Sequence, residues 1–165
     1  MNMKKILITI LVAVFFILLV PRIFDVVRRY YIRLTPIERC ENRLLTFKNA
    51  VKEFTDPNSG ELLLRADWCD VFKKADFPDQ WFICPGKNKP PCDYALNKSV
   101  LGLKISELDS NIVLIFDSKT GWNLVGGPEL LAPENHEGKG CNILFADGRV
   151  EFVKKEKFDN LKWKH

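Results

Sequence analysis

Fifteen consecutive positions near the N-terminus, Ile6 to Val20, carry no charge and only one polar group, Thr9. A bilayer-spanning helix takes about 20 apolar residues. Running on through Pro21 to Val27 supplies that length, with Arg22 and Asp25 placed near one interface, where a long side chain reaches the headgroups. The pattern predicts a transmembrane helix, with residues 1–35 forming the anchor and juxtamembrane segment. The rival reading is a cleaved secretion signal. Lys4 and Lys5 ahead of the apolar run suit it, but Val20-Pro21-Arg22 offers no small-residue cleavage pattern, which favours an uncleaved anchor.

The hydrophobic period changes after Thr35. Thr35-Pro36-Ile37-Glu38 reads as a helix start, with Thr35 as cap, Pro36 at the first helical position and Glu38 closing a capping box. Ile37, Cys40, Leu44, Phe47, Val51 and Phe54 then recur in steps of three and four, the stripe of a helix packed on a sheet. Asp56-Pro57-Asn58-Ser59-Gly60 ends it. Further on, Asp67 to Phe72 looks helical. Trp81-Phe82-Ile83-Cys84 reads as a strand or extended run, and Asp93 to Asn97 as another strand. Asn111 to Asp117 is the strongest strand, apolar on both faces. Asn142 to Val153 reads as a hairpin closed by a two-residue Asp147-Gly148 loop. That register pairs Phe145 with Val150 and Ile143 with Phe152 on one buried face, with Leu144 and Glu151 on the other. Residues 36–165 are long enough for one domain with one core.

Composition adds little to this picture except at the cysteines. The net charge of +4 is spread along the chain with no basic block interleaved with aromatics, so nucleic acid is not an expected partner. Five cysteines occur, none in a CxxC pair, and the only histidines are His136 and His165. Structural zinc is therefore not expected, and no cofactor is. Cys84 and Cys92 flank the loop Pro85 to Pro91 and form a candidate disulfide in an oxidising compartment, with small buried side chains as the alternative. Cys141, within a strand, is the candidate free thiol. Orientation is contested: five arginines between Arg22 and Arg39 would hold the domain in the cytoplasm by the positive-inside rule, whereas the cysteines favour the outside.

No serine lies in a nucleophile elbow, and no phosphate-binding glycine loop is present. A thiol enzyme built on His136 and Cys141 is conceivable, but Cys141 alternates with Ile143 as a packed strand residue does. Asp109, Asp117, Glu134 and Asp147 offer oxygens for calcium without an EF-hand spacing. The expectation is a protein that is not an enzyme.

The stretch from His136 through Cys141-Asn142-Ile143-Leu144-Phe145-Ala146 to Asp147-Gly148 resembles the H-X9-DG motif of bacterial prepilin-like proteins, relatives of type II secretion pseudopilins. Other segments follow the family order. Cys40-Glu41-Asn42-Arg43-Leu44 resembles its C-x-N-N-L, Phe82-Ile83-Cys84-Pro85 its F-x-C-P, and Asp93 to Asn97 its S-Y-x-x-N. Val113 to Asp117 and Gly121-Trp122-Asn123 resemble its V-L-L-x-(D/E) and G-W-N. Ten residues rather than nine separate His136 from Asp147, Arg149 replaces the usual histidine, and no prepilin-peptidase glycine heads the apolar run.

The resemblance implies an α+β, pilin-like fold: an N-terminal transmembrane and long amphipathic helix packed on an antiparallel sheet. It implies a head outside the cytoplasm, anchored by a single pass in the bacterial inner membrane, with His136, Asp147 and Gly148 as family-motif residues. The implied function is a structural or accessory component of a type II secretion or type IV pilus-like system, forming homo- or hetero-oligomers with pilin-like subunits. The alternative is a stand-alone, membrane-tethered binding module that joins no filament.

Overall fold

A computed structural model describes residues 3–53, 65–87, 90–103 and 105–164. The chain divides into two compact units, Met1–Thr35 and Pro36–His165.

The first unit is one helix, α1, Met3–Arg33, with Pro21 inside it. Among the described residues, every large apolar side chain that stands exposed lies on α1, from Ile8 to Ile32. Among the described residues, no helix is long and apolar enough to cross a membrane. The charge-free run is short: fifteen residues rise about 22 Å against about 30 Å of hydrocarbon.

The second unit is α+β. Helix α2, Pro36–Glu53, starts at the proline, whose missing N–H removes one donor that a helix start leaves unpaired. Cys40, Leu44, Phe47 and Val51 are buried, as the stripe requires, and Ile37 is half-buried. The stripe's expected end, Phe54 and the turn at 56–60, lies outside the described residues. Helix α3, Trp68–Lys74, follows. Trp81 to Cys84 is not a strand: Asp79–Phe82 is a 3₁₀ turn, which points Phe82 into the core.

The strands are β1 (Tyr94–Asn97), β2 (Val113–Asp117), β3 (Val125–Gly126), β4 (Gly140–Phe145) and β5 (Val150–Lys154). They form one sheet in the order β3-β1-β2-β4-β5. The sheet is mixed rather than purely antiparallel. β3 lies on the far side of β1 from β2 and runs parallel to β1, its approach pinned by the Leu96 N–H bonded to Leu124 O at 2.9 Å.

Both sheet faces are covered. On one, α2 and α3 bury Leu44, Phe47, Trp68, Phe72, Phe82 and Tyr94 against Leu96, Leu114, Ile115 and Leu144. A register shift between Val113 and Ile115 lets Leu114 and Ile115 both join this core. On the other, Val113, Phe116, Cys141, Ile143 and Phe145 meet Phe158, Leu161 and Trp163 of the C-terminal segment.

The hairpin exists, but its register differs from the expected one. Leu144 pairs with Val150, Ile143 with Glu151 and Asn142 with Phe152. Phe145 donates its N–H to Arg149 O at 2.9 Å, so the loop is three residues, Ala146-Asp147-Gly148, with Gly148 in the left-handed region at φ +82°. Ile143 and Phe145 therefore share the second core, while Leu144 and Val150 face α2.

A buried cluster as candidate functional site

Six side chains that the sequence scatters from α2 to β4 meet on the α2 face of the sheet. Cys40 comes from the middle of α2, Cys84 from the turn after Phe82, and Tyr94 from β1. Asp117 ends β2, His136 ends the 3₁₀ turn Pro133–His136, and Asn142 lies in β4. All are buried, His136 being the most exposed at 3%.

Local structure fixes each contributor. The Cys84 N–H donates to Asp93 Oδ2 at 3.0 Å, and Thr120 Oγ1 donates to Asp93 Oδ1 at 2.6 Å, which ties the Cys84 loop to the sheet. Gly86 lets that loop close onto the His136 turn: a Cβ there would lie 2.0 Å from Asn135 O. Glu137 and Gly138, both at positive φ, end the turn and redirect the chain into β4.

Asp117 is the hub. Its Oδ1 accepts from Cys40 Sγ at 2.9 Å, and its Oδ2 accepts from the Asn142 backbone N–H at 2.6 Å. His136 Nε2 faces the same Oδ2 at 2.9 Å and Cys84 Sγ at 3.6 Å. Tyr94 Oη lies 3.1 Å from Cys40 Sγ. Burial pulls the His136 pKa down, but hydrogen bonds to Asp117 and Cys84 outweigh it and lift it to about 10. Hydrogen bonding to Cys40, with His136 behind it, outweighs burial and draws Cys84 down to about 6. Burial first, then its neighbours, pushes Cys40 well above the ordinary thiol range, and Tyr94 above the ordinary phenol range.

This arrangement differs from a cysteine-protease relay. A relay uses both imidazole nitrogens, one for the nucleophile and one for the orienting acid. Here Cys84 and Asp117 share Nε2, while Nδ1 is buried with no partner among the described residues.

Two thiols, a carboxylate and an imidazole are a donor set that a tetrahedral ion such as zinc accepts, and their ligand atoms lie within 4.8 Å of one another. Bonds of about 2.0–2.3 Å make tetrahedron edges of roughly 3.3–3.8 Å. The 2.9 Å contacts at Asp117 are shorter, so protons knit the cluster as it stands.

The sequence candidates separate accordingly. His136 and Cys84 join the cluster. Asp147 and Gly148 sit in the hairpin loop, where Asp147 Oδ1 accepts from the Arg149 N–H at 2.9 Å. Cys84 and Cys92 are both free thiols and face different neighbours: Cys84 faces Cys40, whereas Cys92 faces Cys69. Cys141 is buried in β4, its pKa raised chiefly by burial, as a packed thiol is. The calcium candidates do not gather: Asp117 is in the cluster, Asp109 pairs with Lys162 and Asp147 with Arg149. Sequence reading singled out Cys40, Asp117 and Asn142 one at a time without grouping them; their shared signal is an inward-facing polar residue in an otherwise apolar stripe or strand.

Trp122 and Asn123 serve elsewhere. Trp122 Nε1 and Asn123 Nδ2 donate to the Asp70 carboxylate at 2.8 and 2.6 Å, and the Cys69 N–H donates to Asn123 Oδ1 at 2.8 Å, which fastens α3 to the sheet. An open groove of about 460 Å³ beside β5, lined by Arg149, Phe152, Lys157 and Leu161 among others, shares no residue with the cluster.

Comparison with known proteins finds no matching family model, no matching curated protein and no matching solved structure.

Proposed function

We propose that this chain is a non-enzymatic, membrane-tethered, pilin-like protein, a structural or accessory subunit of a secretion- or pilus-type assembly. Its head stands outside the cytoplasm of a bacterial inner membrane. The observation that carries the reading is the concentration of exposed apolar surface on α1, which water does not tolerate and lipid or neighbouring apolar helices do. The short charge-free run fits a bilayer that thins locally while Lys4 and Arg22 reach the headgroups. The sealed cluster supports the non-enzymatic part, since no substrate reaches a thiol at 0% exposure. Its residues carry the sequence resemblance, and their shared role is to fasten α2 to β1, β2 and β4. One observation favours the stand-alone tethered module instead: Lys5, not the glycine a prepilin peptidase cleaves after, stands at the head of the apolar run.

The test is fractionation of cells expressing the full chain, with protease added to spheroplasts and mass measurement of the N-terminus. The reading expects carbonate-resistant membrane association, a head cut by external protease, and an end that is intact or trimmed of Met1 alone. Recovery in the soluble fraction, or a protected head, overturns it. Co-isolation with other pilin-like subunits in mild detergent supports the assembly role, and a detergent monomer supports the stand-alone module.

A further inference from the structure

The five cysteines are all buried and all unbonded, yet they are not scattered. Cys40 and Cys84 lie together in the cluster, their sulfurs no more than 4.8 Å apart. Cys69 lies close enough to Cys92 to help burial push that thiol up, and its Sγ accepts from the Asn123 N–H at 3.4 Å. Only Cys141, across the sheet, stands apart from both pairs. We propose that the folded head carries two disulfides, Cys40–Cys84 and Cys69–Cys92, and keeps Cys141 as its single thiol. Cys84 and Cys92 bracket one loop, so the bridges fasten its two ends to different helices, α2 and α3. The proposal rests on the reading that the head lies outside the cytoplasm, where disulfides persist.

Charge and proton balance favour bridges over a metal. In the reduced cluster the single Cys40 proton goes to Asp117 Oδ1, with Cys84 Sγ no more than 4.8 Å from the Cys40 sulfur. A thiolate at Cys84 together with the Asp117 carboxylate puts two negative charges against one imidazolium in a buried site. Oxidation removes the thiolate and leaves Asp117 paired with His136. Zinc held by two thiolates, Asp117 and neutral His136 would leave a net buried negative charge, and it would account for one cysteine pair only. Among the described residues no carboxylate or imidazole completes a metal group at Cys69 and Cys92.

The chemistry is thiol–disulfide exchange with a protein or small-molecule disulfide while the chain folds, before the thiols are sealed. The Cys84 thiolate attacks one donor sulfur, which forms a mixed disulfide and expels the donor's other sulfur as thiolate. Cys40, losing its proton to solvent, attacks the Cys84 sulfur and expels the second donor thiolate. Two electrons pass from the cysteine pair to the donor disulfide. Cys69 and Cys92 follow the same course.

Each cysteine falls on its own tryptic peptide, so mapping is direct. Full-length chain extracted from membranes in detergent is alkylated without reductant, digested and analysed by mass spectrometry. In a second arm, reduced chain is refolded in a glutathione redox buffer. The expected result is Cys40 linked to Cys84, Cys69 linked to Cys92, and Cys141 alkylated, with reduction lowering the melting temperature by on the order of 10 °C. Links that form in the glutathione buffer but not in the cell-derived chain uphold the pairs and overturn the location. All five thiols alkylated in both arms, with or without one zinc per chain, overturn the proposal. So does a Cys84–Cys92 link.

Discussion

Four donors converge on the Asp117 carboxylate: the Cys40 thiol, the Asn142 backbone N–H, the Asn142 side-chain amide and the His136 imidazole. Asp117→Asn keeps the shape but turns one accepting oxygen into an N–H₂ that faces His136 and the Asn142 N–H. Removing one partner of a buried ion pair costs about 3–5 kcal/mol. We expect a loss near the lower bound, because one oxygen still accepts, read as a lower melting temperature of the full chain in detergent. A wild-type melting temperature would refute the hub role. The same site sets a pH dependence. His136, ordinarily near 6.5, sits at about 10, so its contribution is complete below pH 6.5 and is lost as pH rises towards 10. Cys84, ordinarily near 9, sits at about 6, so its contribution is complete above pH 9 and is lost as pH falls towards 6. Each slope is about 1.4 kcal/mol per pH unit. Between pH 6.5 and 9 the slopes oppose and cancel in the reduced chain. With Cys84 oxidised only the histidine slope remains, so stability declines as pH rises above 6.5 and levels off below pH 10, because Asp117 alone then holds the proton. Stability profiles with and without reductant that run parallel would exclude this. At this scale the sequence named the participants but not their meeting, because side chains so far apart in the chain are joined only by the sheet register.

Helix α2 was the most readable element, since a stripe at steps of three and four has one helical solution. Its centre is Phe47, whose ring lies 5.0–5.8 Å from those of Trp68, Phe72, Phe77, Phe82 and Tyr94. Phe47→Ala would open a cavity inside that nest and is expected to cost about 3–5 kcal/mol. Gly148→Ala is expected to cost only about 1–2 kcal/mol: it strains a left-handed position, while the nearest obstacle, Lys48 Cε at 2.7 Å, is the mobile end of a side chain. Denaturant titration of both variants checks the ranking, and a Gly148→Ala loss as large as that of Phe47→Ala would contradict it. The hairpin was legible as a hairpin but not in register. Ile143, Leu144 and Phe145 are all apolar because both sheet faces are covered, so hydrophobic alternation carries no phase there. Asn142 breaks the tie by pointing at Asp117. The Asp147-Gly148 pair fits a three-residue loop as well as a two-residue one, and the Asp147 bond to the Arg149 N–H stabilises the longer form.

On the scale of the whole chain, two surfaces differ in how far the sequence foretells them. The C-terminal cover of the sheet could not be read in advance. Phe158, Leu161 and Trp163 follow neither a helical nor a strand period; they are placed by Asn97 Nδ2 bonding to Trp163 O at 2.9 Å and by the Trp163 ring meeting Phe116 at 4.9 Å. The N-terminal surface was obvious as apolar, and its length makes the membrane reading testable. A charge-free run of about 22 Å leaves little insertion energy in reserve. An arginine at the centre of an inserted helix costs about 2.5–3.5 kcal/mol, so Val14→Arg should shift the partition out of the membrane by roughly a hundredfold, at about 1.4 kcal/mol per tenfold. Val26→Arg falls beyond the run, beside Asp25 and Arg28, where the side chain reaches water, and should leave the partition within a few fold of wild type. If α1 instead buried its apolar face against another protein, both exposed positions would matter alike, at 44% and 65% exposure. Flotation of the two variants with liposomes therefore separates lipid from protein as the cover of α1: the bilayer reading requires Val14→Arg to stay at the bottom of the gradient while Val26→Arg floats.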